Sequence, residues 1–122
     1  MKKLLFTLLL ISMLLIPTVA YAANPPIVFT MTPMSGPKAG GTTITILGNN
    51  FKPRSAVIIG GLQARNVTAS ACNTYSDGTV NCAILTAVTP GLGFGTVGNP
   101  VSVIVLNPNG QAAYVPSGFT YY

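Results

Sequence analysis

The chain has 122 residues, 49% hydrophobic and only 6% charged, with six Lys or Arg, one acidic residue, no His and no Trp. Asp77 is the single carboxylate side chain, which excludes paired-carboxylate glycoside chemistry and multi-carboxylate cages for hard cations within the chain. Without His there is no Ser-His-Asp or Cys-His arrangement and no His-bearing zinc site. The expectation is one domain that is not an enzyme, uses no cofactor and holds no metal.

The chain opens with Lys2 and Lys3, then an apolar run from Leu4 to Ile16 broken by Thr7 and Ser12, then Pro17 and the triplet Ala20-Tyr21-Ala22. A basic start, an apolar core and a small-x-small site describe a secretory signal peptide. The run is shorter than the roughly 20 apolar residues a membrane span needs. Cleavage is expected after Ala22, leaving residues 23–122 as a single exported domain, periplasmic, extracellular or on the cell surface, with no Cys at the site to carry a lipid. In that part Lys38, Lys52, Arg54 and Arg65 stand against Asp77, four cations less one acid, or +3. Polyanion-binding domains cluster more cations than this, so nucleic acid is not an expected partner. Lys52 and Arg54 flank Pro53 and read as a solvated loop pair.

From residue 23 onward no helical periodicity survives the Gly and Pro, and alternation at period two takes its place. Ile27 to Thr32 is a first strand, stopped by Pro33. After a Gly- and Pro-bearing loop, Thr42 to Leu47 places Ile44 and Ile46 inward and its Thr side chains outward. Ala56 to Ile59 follows, and Gly60-Gly61 turns the chain into a strand from Gln63 to Thr68. Val80, Cys82 and Ile84 are expected on one face of a strand running to Val88, and Val101, Val103 and Val105 on one face of the next. Asn107-Pro108-Asn109-Gly110 is a hairpin turn. Ala112 to Val115 is the last strand, with Phe119 to Tyr122 continuing it or pairing anew after Pro116 and Gly118. About seven short strands without helices predict an all-β antiparallel sandwich.

Cys72 and Cys82 enclose nine residues centred on Asp77. A three-residue loop Ser76-Asp77-Gly78, with Gly78 left-handed, sets Tyr75 opposite Thr79 and, counting outward, Cys72 opposite Cys82. Alternation from a hydrogen-bonded 75–79 pair makes 72 and 82 a non-hydrogen-bonded pair, whose side chains approach closely. A structural cross-strand disulfide is therefore predicted. A redox role is disfavoured, because nothing nearby lowers a thiol pKa.

Several segments in order resemble the signature of IPT/TIG domains, an immunoglobulin-like family found in plexins, Rel-type transcription factors and bacterial surface proteins. These are Pro33 to Pro37, Gly40 to Phe51, Val57 to Gly61, Ala64, Thr89-Pro90, Val101 to Val105, Asn107 to Gly110 and Gly118 to Tyr121. The resemblance implies an immunoglobulin-like sandwich and leaves function open, because the family hosts many roles. The physical reading agrees: Gly40-Gly41 lets the chain swing where bulkier residues would clash, and Phe51 and Phe119 act as apolar plugs at the two ends. The long loop from Pro90 to Pro100 and the Cys72–Cys82 hairpin depart from the usual pattern.

Gly93-Phe94-Gly95-Thr96-Val97-Gly98 matches G-x-G-x-x-G but leads into Asn99-Pro100 and a Val-rich strand, with no helix to meet a phosphate. Asn66-Val67-Thr68 is a glycosylation sequon taken as coincidence beside a bacterial-looking signal. Leu92 and Phe94 have no obvious core slot and, with Tyr75 at the hairpin tip, are the candidate surface contacts. For Tyr75, packing against its own hairpin is an equally good reading. The expected function is a secreted binding or adhesion module whose partner is a protein or a polysaccharide at the cell surface. The alternative is a structural subunit of an envelope or extracellular assembly. It could assemble with itself through strand edges, for which the sparsely charged Thr-rich strand 42–46 is the candidate.

Overall fold

The computed structural model describes residues 24–93 and 95–122. The proposed leader, residues 1–22, and Phe94 lie outside the described residues. Nine strands follow in chain order: β1 Ile27–Thr32, β2 Ser35–Gly36, β3 Thr43–Phe51, β4 Ala56–Ile59, β5 Leu62–Gln63, β6 Arg65–Thr74, β7 Val80–Val88, β8 Pro100–Leu106 and β9 Ala112–Tyr121. They form a four-stranded sheet, β1-β3-β7-β6, facing a five-stranded sheet, β2-β9-β8-β4-β5. Pairing is antiparallel except for the short β2 beside β9. The all-β sandwich expected from the sequence is the fold observed.

Alternation supplies the core. Ile44 and Ile46 from β3, Val57 and Ile59 from β4, Leu85 and Ala87 from β7, and Val103 and Val105 from β8 point inward and are buried. Phe51 and Phe119 are also fully buried, as their plug role requires. Each such aliphatic or aromatic side chain taken from water contributes about 1.5–3 kcal/mol of transfer free energy. Strand β9 runs unbroken to Tyr121, absorbing Pro116 and Gly118 through a register shift against β8 between Val101 and Val103.

Two expectations are corrected. The Thr-rich segment 42–46 is not an edge: β3 lies between β1 and β7, so its backbone is paired on both sides. Alternation reveals the face a residue takes and not which strand lies beside it. The edges are β1 and β6 in one sheet and β2 and β5 in the other. Thr32, Thr45, Thr86 and Thr68 instead line up across all four strands of the first sheet. The second correction concerns β7, where Cys82 is buried but Ile84 is only half-buried, and Leu85 and Ala87 take the core positions. The phase of burial changes beside the β3 bulge between Leu47 and Phe51.

The registers define two poles. Strands β3, β6 and β8 end, and β4, β7 and β9 begin, at the pole where Phe51 meets Cys82, Thr74 meets Val80 and Leu106 meets both Ala56 and Ala112. The opposite pole carries the loops 37–42, 60–61 and 89–99.

Candidate functional site

The described residues contain no group of three or more His, Cys, Asp or Glu side chains placed to hold a metal. The two poles of the sandwich differ in how their loops are held.

The pole with the long 89–99 loop is stitched shut. Leu92 N–H donates to the Lys38 carbonyl at 2.9 Å, and Gly98 N–H to the Tyr121 carbonyl at 2.8 Å. The buried Tyr121 hydroxyl donates to the Pro90 carbonyl at 2.8 Å, and burial pushes its pKa above the ordinary 10.0. A Cβ on Gly40, whose φ is +79°, would stand 2.6 Å from the Pro90 carbonyl carbon, so only Gly fits there. Gly41 meets nothing within 4 Å and is required for its φ of +87° alone. Leu92 was expected to lack a core slot, but it is half-buried and packs on the core cluster. The loop folds back because its backbone finds partners on Lys38 and Tyr121. The G-x-G-x-x-G segment leads directly into β8 at Pro100, as the Val-rich sequence requires.

The other pole is open, and its centrepiece is the β6–β7 hairpin. Tyr75 N–H donates to the Thr79 carbonyl at 2.8 Å and Gly78 N–H to the Tyr75 carbonyl at 3.0 Å, with Gly78 at φ +87°. Cys72 pairs with Cys82, bonded through sulfur, with Cα atoms 4.0 Å apart. The disulfide, the three-residue loop and its left-handed glycine are as the spacing predicted. Tyr75 is 51% exposed. The Asp77 carboxylate accepts from the Thr79 hydroxyl at 2.6 Å and the Thr79 N–H at 2.9 Å. These bonds, the hydroxyl's first, hold its pKa below the ordinary 3.8, and Lys52 adds a smaller push in the same direction.

Lys52 connects this hairpin to the β3–β4 loop by donating its ammonium to the Asn81 side-chain carbonyl. Behind the loop lies a buried polar lattice. Asn107, 1% exposed, donates from its amide to the Asn50 carbonyl at 3.0 Å and accepts from the Ser55 hydroxyl at 2.8 Å. The Ser55 hydroxyl oxygen in turn accepts from Lys52 N–H at 2.8 Å, and the Asn50 amide donates to the Pro25 carbonyl at 3.1 Å. Among the described residues no buried side-chain polar atom lacks a partner, so the lattice fixes the loop without a desolvation penalty left unmet.

In front of the loop, Lys52, Pro53 and Arg54 face Pro108 and Asn109 across a shallow depression of about 360 Å³ whose lining is almost wholly hydrocarbon. From the sequence alone Lys52 and Arg54 are ordinary solvated charges. The sequence signal for the depression is a pair of proline-centred triplets, Lys52-Pro53-Arg54 and Asn107-Pro108-Asn109, and only the fold sets the first opposite Pro108 and Asn109 of the second. Two further exposed aromatics were not among the sequence candidates: Phe29, 65% exposed at the β1 bulge, and Tyr114, 65% exposed on the outer face of the second sheet. Inward Ala113 and Val115 would have predicted the outward Tyr114.

Residues 26–121 match the family model described as the IPT/TIG domain. Among solved structures, the fold is similar to one titled as the plexin A4 full extracellular region, with TM-score 0.55 and 18% identity over 81% of this chain. The chain spans 9% of that structure's length, and at that identity the likeness concerns the fold alone. A comparison with curated proteins finds no match.

Proposed function

Because the chain belongs to the IPT/TIG domain family, whose members are generally non-enzymatic immunoglobulin-like modules, we propose that it is a secreted module for binding or adhesion at the cell envelope. Residues 1–22 serve as the leader in this reading, and residues 23–122 as the exported domain. The two-cysteine hairpin supports export, since disulfides persist in oxidising compartments. The observation that carries the proposal is the open pole. There an exposed tyrosine stands on a hairpin held by a disulfide, beside a loop fixed by buried hydrogen bonds. Tyr offers large apolar area and a hydroxyl with little rotamer entropy to lose, and a pre-fixed loop loses less on binding than a mobile one. The partner class is a protein or polysaccharide surface, and a net mature charge of +3 disfavours nucleic acid. Phe94 stays a candidate contact alongside Tyr75.

The test compares wild type with Tyr75→Ala and Phe94→Ala on glycan arrays and in pull-downs from the producing cell's envelope. A partner lost on Tyr75→Ala with unchanged thermal stability supports the reading. Binding indifferent to both substitutions contradicts it.

A second reading, a subunit that assembles through strand edges, is favoured by one observation. Strand β6 is a ten-residue edge, exposed along most of its length, with Arg65 as its single charge. A bulge between Arg65 and Thr68, where Asn66 has positive φ, shortens the regular stretch another strand could pair with. Sedimentation showing a strict monomer at high concentration removes this reading.

A further inference from the structure

A depression lies between the β3–β4 loop and the β8–β9 turn, apart from Tyr75, and its lining has a definite chemical character. Lys52, Pro53, Arg54, Pro108 and Asn109 line it and its surface is almost wholly apolar, as proline rings and the aliphatic stems of Lys and Arg supply. The side-chain polar groups of Asn109 and Lys52 are engaged inside the protein. The Asn109 side-chain carbonyl accepts from Gln111 N–H at 3.0 Å, and its amide donates to the Gln111 side chain at 3.3 Å. The Lys52 ammonium is on Asn81. Arg54 is exposed, and the one carboxylate side chain of the whole sequence, Asp77, is taken up by Thr79.

We infer that this depression seats an apolar side chain of a partner protein segment, with a neighbouring carboxylate of that segment on the Arg54 guanidinium. The inference rests on the binding-module reading and specifies it. A polysaccharide is the weaker occupant, because sugar hydroxyls need many hydrogen-bond partners and the site offers a hydrocarbon floor without an aromatic ring. An acidic segment fits by charge, since four cations of the proposed exported domain share one acid among them. Arg suits the carboxylate because its planar donors bind both oxygens at once.

The test uses the purified protein and four probes: the blocked tetrapeptide Gly-Phe-Asp-Gly, its Phe-Asn and Ala-Asp counterparts, and trigalacturonate. Backbone amide shifts are followed by NMR. The Phe-Asp peptide is expected to shift the 52–55 and 109–111 amides saturably, at a dissociation constant on the order of 1 mM. Replacing either half should weaken it at least about threefold. Raising NaCl from about 0.02 to about 0.5 M should weaken the Phe-Asp peptide and leave the Phe-Asn peptide alone. Arg54→Gln should bring the Phe-Asp peptide down to the Phe-Asn level without moving the melting temperature. Equal shifts from the Phe-Asp and Phe-Asn peptides, no shifts at these amides, or trigalacturonate binding at lower concentration than the peptide would each overturn the inference. Because capture through Tyr75 is scored separately, a silent depression with Tyr75-dependent capture defeats this inference and leaves the binding-module reading intact.

Discussion

Two hairpins at one pole use the same turn and put it to opposite ends. In β6–β7 the loop Ser76-Asp77-Gly78 is closed by Tyr75 and Thr79, and in β8–β9 Pro108-Asn109-Gly110 is closed by Asn107 and Gln111. The closing N–H to carbonyl distance is 2.8 Å in both, and the inner bond from the glycine N–H is 3.0 Å in both. Gly78 and Gly110 have φ of +87° and +90°. Asp77 and Asn109 each accept from the backbone N–H two residues on. Where they part is the first residue of the closing pair, exposed Tyr75 against buried Asn107. One turn is riveted to the sandwich by a buried amide, while the other stands out and is held by a disulfide behind it. Turn geometry is thus set locally, and whether a turn is presented or anchored is set by one neighbouring side chain.

The largest effect should come from cutting the rivet. Asn107→Ala leaves the Ser55 hydroxyl and the Asn50 carbonyl buried without their partner, at a cost of about 2–4 kcal/mol. Tyr75→Ala at the matching position should cost under about 0.5 kcal/mol. Urea unfolding with unchanged m-values measures both, and equal losses would abolish the distinction. Replacing Cys72 and Cys82 together by Ser should lower stability by about 2–3 kcal/mol. It should also raise amide exchange in residues 72–82 while leaving 107–111 protected. Protection lost equally in both hairpins would show that the disulfide holds the whole pole.

The shared geometry predicts a shared penalty. Gly78→Ala and Gly110→Ala each meet open space and suffer from φ alone, about 1–2 kcal/mol apiece. Markedly unequal values would show that the turns are alike only in outline. The smallest effect is acid dependence. Asp77 has a folded pKa below its ordinary 3.8, so its contribution is complete above that value and fades as pH falls through the folded pKa. Asn109 does not titrate, so its turn should show no such change. In an NMR titration Thr79→Val should bring the Asp77 pKa back towards 3.8, since the Thr79 hydroxyl is the leading cause of the shift. A pKa unmoved by that substitution would assign the shift elsewhere.

The fold and the 72–82 hairpin were legible because both follow from local counting: alternation gives faces, and a centred Asp-Gly gives register. Leu92 was misjudged because a Gly-rich loop gives no sign of which carbonyl its N–H groups will reach. The interior place of β3 was invisible because its neighbours, β1 and β7, are chosen by the whole sandwich. The depression was hidden for the same reason, its two walls lying more than fifty residues apart in sequence.

The proposal is that the open pole carries the partner contact. It is tested most directly by measuring partner binding for Tyr75→Ala beside Tyr114→Ala, which removes an equally large, more exposed tyrosine from the outer sheet face. Loss of binding is expected for the first and wild-type binding for the second, both at unchanged stability. Binding that survives Tyr75→Ala and disappears with Tyr114→Ala would contradict it and move the contact surface to the sheet.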